Sequence, residues 1–338
     1  MSLLARSVWW VREARARVGV HRIPDGVLPA DLGRELEEFE RRFVRRFGDV
    51  PDHVRIHAER FTNQYRSIGP ARCLCARTGS GNLSGTLCLA RTRLRFPSGI
   101  VRRAVYGTNL LVAPEARHGP TLARLMGAAV RWTAPRAWAG FAHVPEGSTS
   151  RPERFMRQLG LPAFAEVGAI RIVSLPTGHA DDAALVETEM IDEPRVRRMR
   201  RHLMRGCIVA EGGDPAARSG RAPVWIALRD GSACACIEDC DRTKRHERVG
   251  GSGPLEWCHL SFLGFRDAAA FGRIARAGLA IAHQRGVPLM QVAVDAAQER
   301  DLLDAAGVPP AFGFRARIAG FAVGGFPRAP WSLNASEI

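Results

Sequence analysis

Lysine is nearly absent from this chain of 338 residues: Lys244 is the only one among its 49 basic residues. The arginine bias reads as the codon usage of a GC-rich genome and says little about function. The excess of base over acid, +15 at neutral pH, is a separate matter and favours anionic partners. Tyrosine is also scarce, with two in the chain, which removes the aromatic platform on which many RNA-binding modules stack bases. Long apolar runs are missing, and nothing reaches the ~18–20 residues that a membrane helix needs. The first 18 residues carry too short an apolar run, broken by Arg6, for a secretory signal. The expectation is a cytoplasmic protein without membrane contact.

What is present suits two domains of ordinary size. Apolar residues make up 46% of the chain, enough for two cores. Several of the eight cysteines alternate along apolar runs (Cys73 and Cys75, Cys234 and Cys236), as small buried side chains of strands do. In a cytosolic protein they are expected as free thiols.

Leu32, Leu36, Phe39, Phe43 and Phe47 share one face of a predicted helix over 28–47. Strands are predicted at 71–76, 83–94 and 103–112, and then a helix from Pro120 with Leu122, Leu125, Met126, Ala129 and Val130 on one side. A strand (138–144), a short helix (152–159) and a strand (167–175) complete the first half. A polar, turn-prone stretch follows at 176–182. The second half reads as a strand (185–191), an arginine-rich helix (194–204), strands at 224–228, 233–237 and 255–263, a helix (267–285), a strand (289–294), a helix (298–306) and a closing strand (315–323). Pro120 and Asp267, which open the long helices, and Gly160 and Gly307, which follow the short ones, are separated by the same interval. That repetition suggests duplication. The expected fold class is α/β, with domains at 1–176 and 183–330, each a mixed, mostly antiparallel sheet flanked by helices.

The most informative segment is Leu110-Leu111-Val112-Ala113-Pro114-Glu115-Ala116-Arg117-His118-Gly119. It reads as a strand, a tight turn and a helix start, whose outward-pointing N–H groups can hold a diphosphate. Together with Phe155-Met156-Arg157-Gln158-Leu159-Gly160-Leu161, it resembles the GNAT superfamily of acyl-CoA-dependent N-acyltransferases, here in a tandem arrangement with a degenerate second domain. The resemblance covers residues 70–175, and the second half by element order alone. It implies acetyl-CoA or another acyl-CoA as co-substrate, held by Leu111, Val112, Arg117, His118, Gly119, Thr121 and Leu122. Departures stand out. One family glycine falls on Pro120, which has no N–H, although a shift by one residue puts Gly119 and Thr121 at the glycine positions. The tyrosine that often protonates the leaving thiolate falls on Met156. The family's asparagine falls near Ser148 or Thr149.

Transfer to an amine needs a group to receive the amine proton and donors for the oxyanion. Tyr106 stands where some relatives carry a glutamate base. Tyr106 and Asn109 are polar in an apolar run, fit either for orienting substrate or for closing local backbone bonds. His143 and Glu146 end the strand over 138–144, near the expected splayed centre of the fold. The catalytic candidates are therefore Tyr106, Asn109 and His143. Cys234, Cys236 and Cys240, with His246, Cys258 and His259 downstream, have zinc-binding chemistry but the wrong spacing for a common knuckle, so no metal is expected. Arg195, Arg197, Arg198, Arg200, Arg201 and Arg205 form either a solvated face or a contact for phosphate or RNA.

Three readings remain. The first is an acyltransferase taking an acyl group from CoA or a carrier-protein thioester to a small-molecule amine. The second is an aminoacyl-tRNA-dependent transferase of tandem GNAT-like type. The third is an inactive binding scaffold. RNA or a carrier protein would meet the basic surface, and the chain would be a monomer or a homodimer.

Overall fold

The computed structural model describes residues 18–23, 30–57, 61, 63–117, 119–148, 156, 164–179, 181–251 and 253–337. His118 and most of the short helix expected at 152–159 lie outside them.

The described strands of the first half are β1 (Val18–Ile23), β2 (His53–His57), β3 (Ala71–Arg77), β4 (Leu83–Arg95), β5 (Val101–Val112), β6 (Ala139–Pro145) and β7 (Ala165–Pro176). The second half adds β8 (Thr188–Met190), β9 (Ile208–Glu211), β10 (Val224–Leu228), β11 (Ala233–Glu238), β12 (Lys244–Arg248), β13 (Cys258–Phe265), β14 (Leu289–Asp295), β15 (Phe312–Ala322) and β16 (Trp331–Ser332). The helices are α1 (Ala30–Arg41), α2 (Asn63–Ile68), α3 (Thr121–Thr133), α4 (Glu193–Leu203), α5 (Pro215–Arg218), α6 (Ala268–Gln284) and α7 (Glu299–Ala306).

Fourteen strands form one mixed sheet in the order β1-β3-β4-β5-β6-β15-β7-β14-β13-β11-β10-β8, with β9 joined to β4 and β16 to β9. The halves exchange their closing strands. β15 lies antiparallel between β6 and β7, and β7 lies between β15 and β14. β2 and β12 form a separate antiparallel ribbon that links the halves.

Apolar side chains on α3 and α6 seat these helices against the sheet. Leu125, Met126 and Ala129 of α3 join Leu74, Leu87 and Val105 in one core. Phe271, Ile274 and Leu279 of α6 join Leu260, Met290 and Val292 in another. Asp267 caps α6 by accepting from the Ala270 N–H at 2.8 Å.

The expected helix over 28–47 is shorter. α1 buries Leu32, Leu36 and Phe39 but ends at Arg41. The Arg42 and Phe43 amides bond three residues back, and Arg45 pairs its backbone with His53 instead of continuing the helical ladder. Phe43 and Phe47 therefore belong to the segment after the helix, with Phe43 against Phe39 and Phe47 against Phe314. The strand expected at 185–191 is only β8, preceded by a short 3-10 turn that Asp181 caps.

The repeat has a backbone signature. Among the described residues, Asn109 in β5 (φ 55°) and Phe262 in β13 (φ 51°) are the only non-glycine residues with positive φ. Each sits in a strand paired in parallel, over a short stretch, with the strand that follows the long helix. In the second half the Phe262 N–H donates to Asn334 Oδ1 at 2.9 Å, and Ser261 meets Ser336 at 3.2 Å. The C-terminal segment thus occupies the position that, in the first half, is a cavity.

Candidate functional site

β5 and β6 pair only over Ala104–Gly107 and Ala139–Ala142. Beyond Gly107, Asn109 adopts its left-handed conformation and the register against β4 shifts between Thr86 and Cys88. β6 meanwhile follows β15 as far as Pro145. The two strands splay, and a cavity of about 340 Å³ occupies the gap. Every residue of β5 from Val105 to Leu111 and of β6 from Gly140 to Pro145 lines it. Successive strand residues point to opposite faces, so the cavity passes through the sheet. On the α3 face its walls are apolar: Leu87, Leu89, Met126, Ala129, Val130, Met156, Phe164 and Phe321. On the other face they include Arg45, His53, Arg55, Lys244 and His246.

Tyr106, Asn109 and His143 all line this cavity. The Tyr106 hydroxyl donates to the Glu337 carbonyl at 3.2 Å and lies 3.0 Å from His143 Nδ1. A hydroxyl has one proton, so satisfying both contacts makes His143 Nδ1–H the donor to Tyr106. That tautomer leaves His143 Nε2 as a bare lone pair, and Nε2 is buried with no partner among the described residues. Burial pushes the Tyr106 hydroxyl up to about 12 and the His143 imidazole down to about 3. Both are neutral at neutral pH. Asn109 Oδ1 accepts from Arg45 at 3.1 Å, and Asn109 Nδ2 has no partner among the described residues. Glu146, by contrast, is exposed and pairs with Arg315.

The segment after β5 turns through a 3-10 helix (Pro114–Ala116) into α3. The amides of Arg117 and Gly119 are used internally, bonding to Pro114 and Ala116. Pro120 supplies no side-chain cap, and the first helical bond runs from Arg124 to Pro120. The N–H groups of Thr121, Leu122 and Ala123 therefore open α3 without an acceptor among the described residues. Two of these three residues, Thr121 and Leu122, are among those that the sequence offered for the co-substrate. Leu111 lines the splayed gap, whereas Val112 packs with the α3 core. Arg117 is exposed, and Thr121 is buried with its hydroxyl 3.3 Å from that of Ser84. A Cβ on Gly85 would lie 2.7 Å from Thr121 Cγ2, so the glycine is what lets the helix start sit against the sheet.

One cluster escaped the sequence reading as a cluster, although Lys244 and His246 were each noticed singly. The ribbon of β2 and β12 turns His53, Arg55, His57, Lys244 and His246 inward, all at least nine-tenths buried. His57 lies opposite Lys244 and Arg55 opposite His246. Glu40 is their carboxylate, hydrogen-bonded to His57 and Arg45 and 3.8 Å from Arg55. Burial alone would raise the Glu40 pKa, but His57, Arg45 and Arg55 together hold it well below the ordinary range. Burial lowers His53 to about 4 and puts His246 well below its ordinary value. Lys244 is brought down to about 7, by burial above all, with Cys240 opposing and Arg55, Arg218 and Arg45 adding to the fall. The signal was there as a lone lysine and as basic residues at every second position of 53–57 and 244–246.

Among the described residues no three of His, Cys, Asp and Glu gather into a metal-holding group. Cys234 and Cys236 pack with Val196, Ala227 and Phe262, and Cys258 belongs to a different core. The arginine helix α4 is largely engaged. Arg195 and Arg197 pair with Glu189 and Glu193, Arg201 lies 3.9 Å from Glu211, and Arg200 is buried with bonds to Leu263, Ala210 and Ser332. Among the described residues no helix is long and apolar enough to cross a membrane.

The splayed parallel pair, the turn that leads from its first strand into a long helix and the repetition of this order in the second half define the tandem GNAT-like fold. No protein-family model matches the chain, and comparison with curated proteins gave no significant match. Solved structures do match. A Saccharomyces cerevisiae N-myristoyltransferase with bound myristoyl-CoA and inhibitors aligns with a TM-score of 0.61 at 12% identity, over 96% of this chain and 84% of that one. Two structures of the Saccharomyces cerevisiae N-myristoyltransferase with bound myristoyl-CoA align with TM-scores of 0.59 and 0.57, at 12% and 11% identity, over 95% and 90% of this chain and 82% and 83% of theirs. At such identity the likeness establishes the fold.

Proposed function

We propose that the protein is an N-acyltransferase that moves an acyl group from acyl-CoA to an amine acceptor. The observation that carries this reading is the cavity through the splayed strands, apolar toward α3 and, on the other face, studded with Arg45, Arg55, Lys244, His53 and His246 among aromatic side chains such as Phe47, Trp257 and Phe314. An acyl chain suits the first side and a polar amine the second. Residues 1–176 would hold the donor, and residues 183–330 would close the acceptor side with β12. The amides of Thr121, Leu122 and Ala123, with the Arg117 guanidinium, offer the diphosphate a helix start and a charge. Leu111, Val112 and Gly119 would flank the pantetheine arm. The structures with bound myristoyl-CoA support a long-chain donor.

In the transfer, the amine nitrogen attacks the thioester carbonyl, the C–S bond breaks, and the amine proton ends on the CoA sulfur. His143 Nε2 accepts a hydrogen bond from the amine and aims its lone pair. Tyr106 fixes the His143 tautomer, and Asn109 Nδ2 is a donor available to the developing oxyanion. A carrier-protein thioester would present the same pantetheine arm to the basic surface. The engaged arginines of α4 give RNA less to hold, which favours the CoA reading over the tRNA-dependent one. The test is calorimetric titration with acetyl-CoA and palmitoyl-CoA. Binding is expected for both, tighter for palmitoyl-CoA, and weakened about tenfold by Arg117→Ala through loss of a charge-assisted phosphate contact. Flat titrations with both thioesters would overturn the proposal.

A further inference from the structure

The ribbon of β2 and β12 places Lys244 beside the cavity with no acid paired to it among the described residues. Arg45, Arg55 and Lys244 line the cavity, and Glu40 is the acidic group bonded within this cluster. Glu40 is already engaged by His57 and Arg45. Lys244 is 6% exposed, lines the cavity and forms no ion pair among the described residues. Next to it on β12, both ring nitrogens of His246 are buried without a partner. Buried donors and charges left in this state are costly unless something completes them. A ligand in the cavity would complete them.

Resting on the acyl-transfer reading, we infer that the acceptor is an amine that also carries an anionic oxygen group, a carboxylate or phosphate, which docks against Lys244 and His246. Arg45 ties this subsite to the splayed strand, since it bonds both Glu40 and Asn109. An amino-acid-like acceptor would thus have its anionic end at the ribbon and its amine toward His143. The charged groups around Lys244 explain how binding would register. Arg55, Arg45 and Arg218 disfavour its protonated form, and Cys240 favours it. His246 and His259 feel its charge in turn, and His57 faces it across the ribbon. With its pKa near 7, Lys244 is mostly neutral at pH 8. An anion docked beside it favours the charged form, so binding takes up a proton.

The experiment uses product-like probes on the full chain: N-dodecanoylglycine, N-dodecanoyl-O-phosphoethanolamine and the neutral N-dodecanoylglycinamide. Calorimetry at pH 8 in two buffers of different ionisation enthalpy reads affinity and proton uptake together. At least one anionic probe is expected to bind about tenfold or more tightly than the amide, as a charge-assisted contact implies, with uptake approaching one proton. The tighter anion identifies carboxylate or phosphate. Lys244→Met should remove both the preference and the uptake. Lys244→Arg should keep the preference and lose the uptake, and its binding shows that the variant site is folded. Equal affinity for all three probes, in a protein that still binds palmitoyl-CoA, overturns this inference alone. Loss of palmitoyl-CoA binding would overturn the acyl-transfer reading itself.

Discussion

Replacing Lys244 with methionine removes a buried ammonium while keeping the side chain's volume and reach. The folded protein brings that ammonium from its ordinary 10.5 to about 7. The unfolded chain stays protonated there up to its higher pKa, so between the two values it binds more protons than the folded state. Stability must therefore rise with pH in this window. At roughly 1.4 kcal/mol per pH unit, the native lysine costs about 4 kcal/mol at pH 7 and about 3 kcal/mol at pH 8.5. Exchanging buried ions for apolar side chains stabilises other proteins by about 1–4 kcal/mol, the same range. Urea unfolding of both proteins at the two pH values is the assay. Burial pushes Cys234, Cys240 and Cys258 up to about 12. These thiols act in the opposite sense as pH rises toward 9 and beyond; Cys234 and Cys258 cancel in the difference between variant and parent, whereas Cys240 loses in the variant the Lys244 charge that lowers its pKa. Lys244→Met should be the more stable protein at pH 7, by a margin that narrows by roughly 1–2 kcal/mol at pH 8.5. A variant that is less stable at pH 7, or a margin that ignores pH, would refute the reasoning.

Arg218 is fully buried and bonds Glu238 twice and Glu337 once. Arg218→Met strands those carboxylates and should lower stability by about 3–5 kcal/mol in urea unfolding; an unchanged midpoint would contradict this. Ala129→Phe should fill the apolar end of the cavity, leaving acetyl-CoA binding intact and weakening palmitoyl-CoA about tenfold or more by calorimetry. Equal weakening of both thioesters would place the acyl chain elsewhere. Tyr106→Phe removes the acceptor for His143 Nδ1 and the donor to Glu337. It should reduce kcat about tenfold with the donor KM unchanged, as loss of one positioning hydrogen bond implies. An unchanged kcat would free Tyr106 from any part in transfer.

Local periodicity carried the long helices and most of the sheet, because α3 and α6 each bury one apolar face and β3, β4, β11 and β13 are almost wholly buried. Tyr106, Asn109 and His143 stood out because a polar side chain in an apolar strand is conspicuous. The short elements were not legible. β9 and β16 have four and two residues, and the pairing that defines them comes from distant parts of the chain. The ribbon was hidden for a different reason. Its inward face is charged, so His53, Arg55, His57, Lys244 and His246 read as a solvated stretch by any rule that sends charge outward. Phe43 and Phe47 misled in the reverse direction, by continuing a helical spacing that the backbone abandons once Arg45 pairs with His53.

The traded strands make the two halves inseparable in a practical sense. A protease nick between residues 177 and 182 would sever the covalent link yet release nothing, since β7 would stay stitched between β15 and β14. A fragment ending at residue 176 and expressed by itself would have no β15 to seat against β6, and the bared edge would invite aggregation. The same two pieces produced in one cell should find each other and assemble.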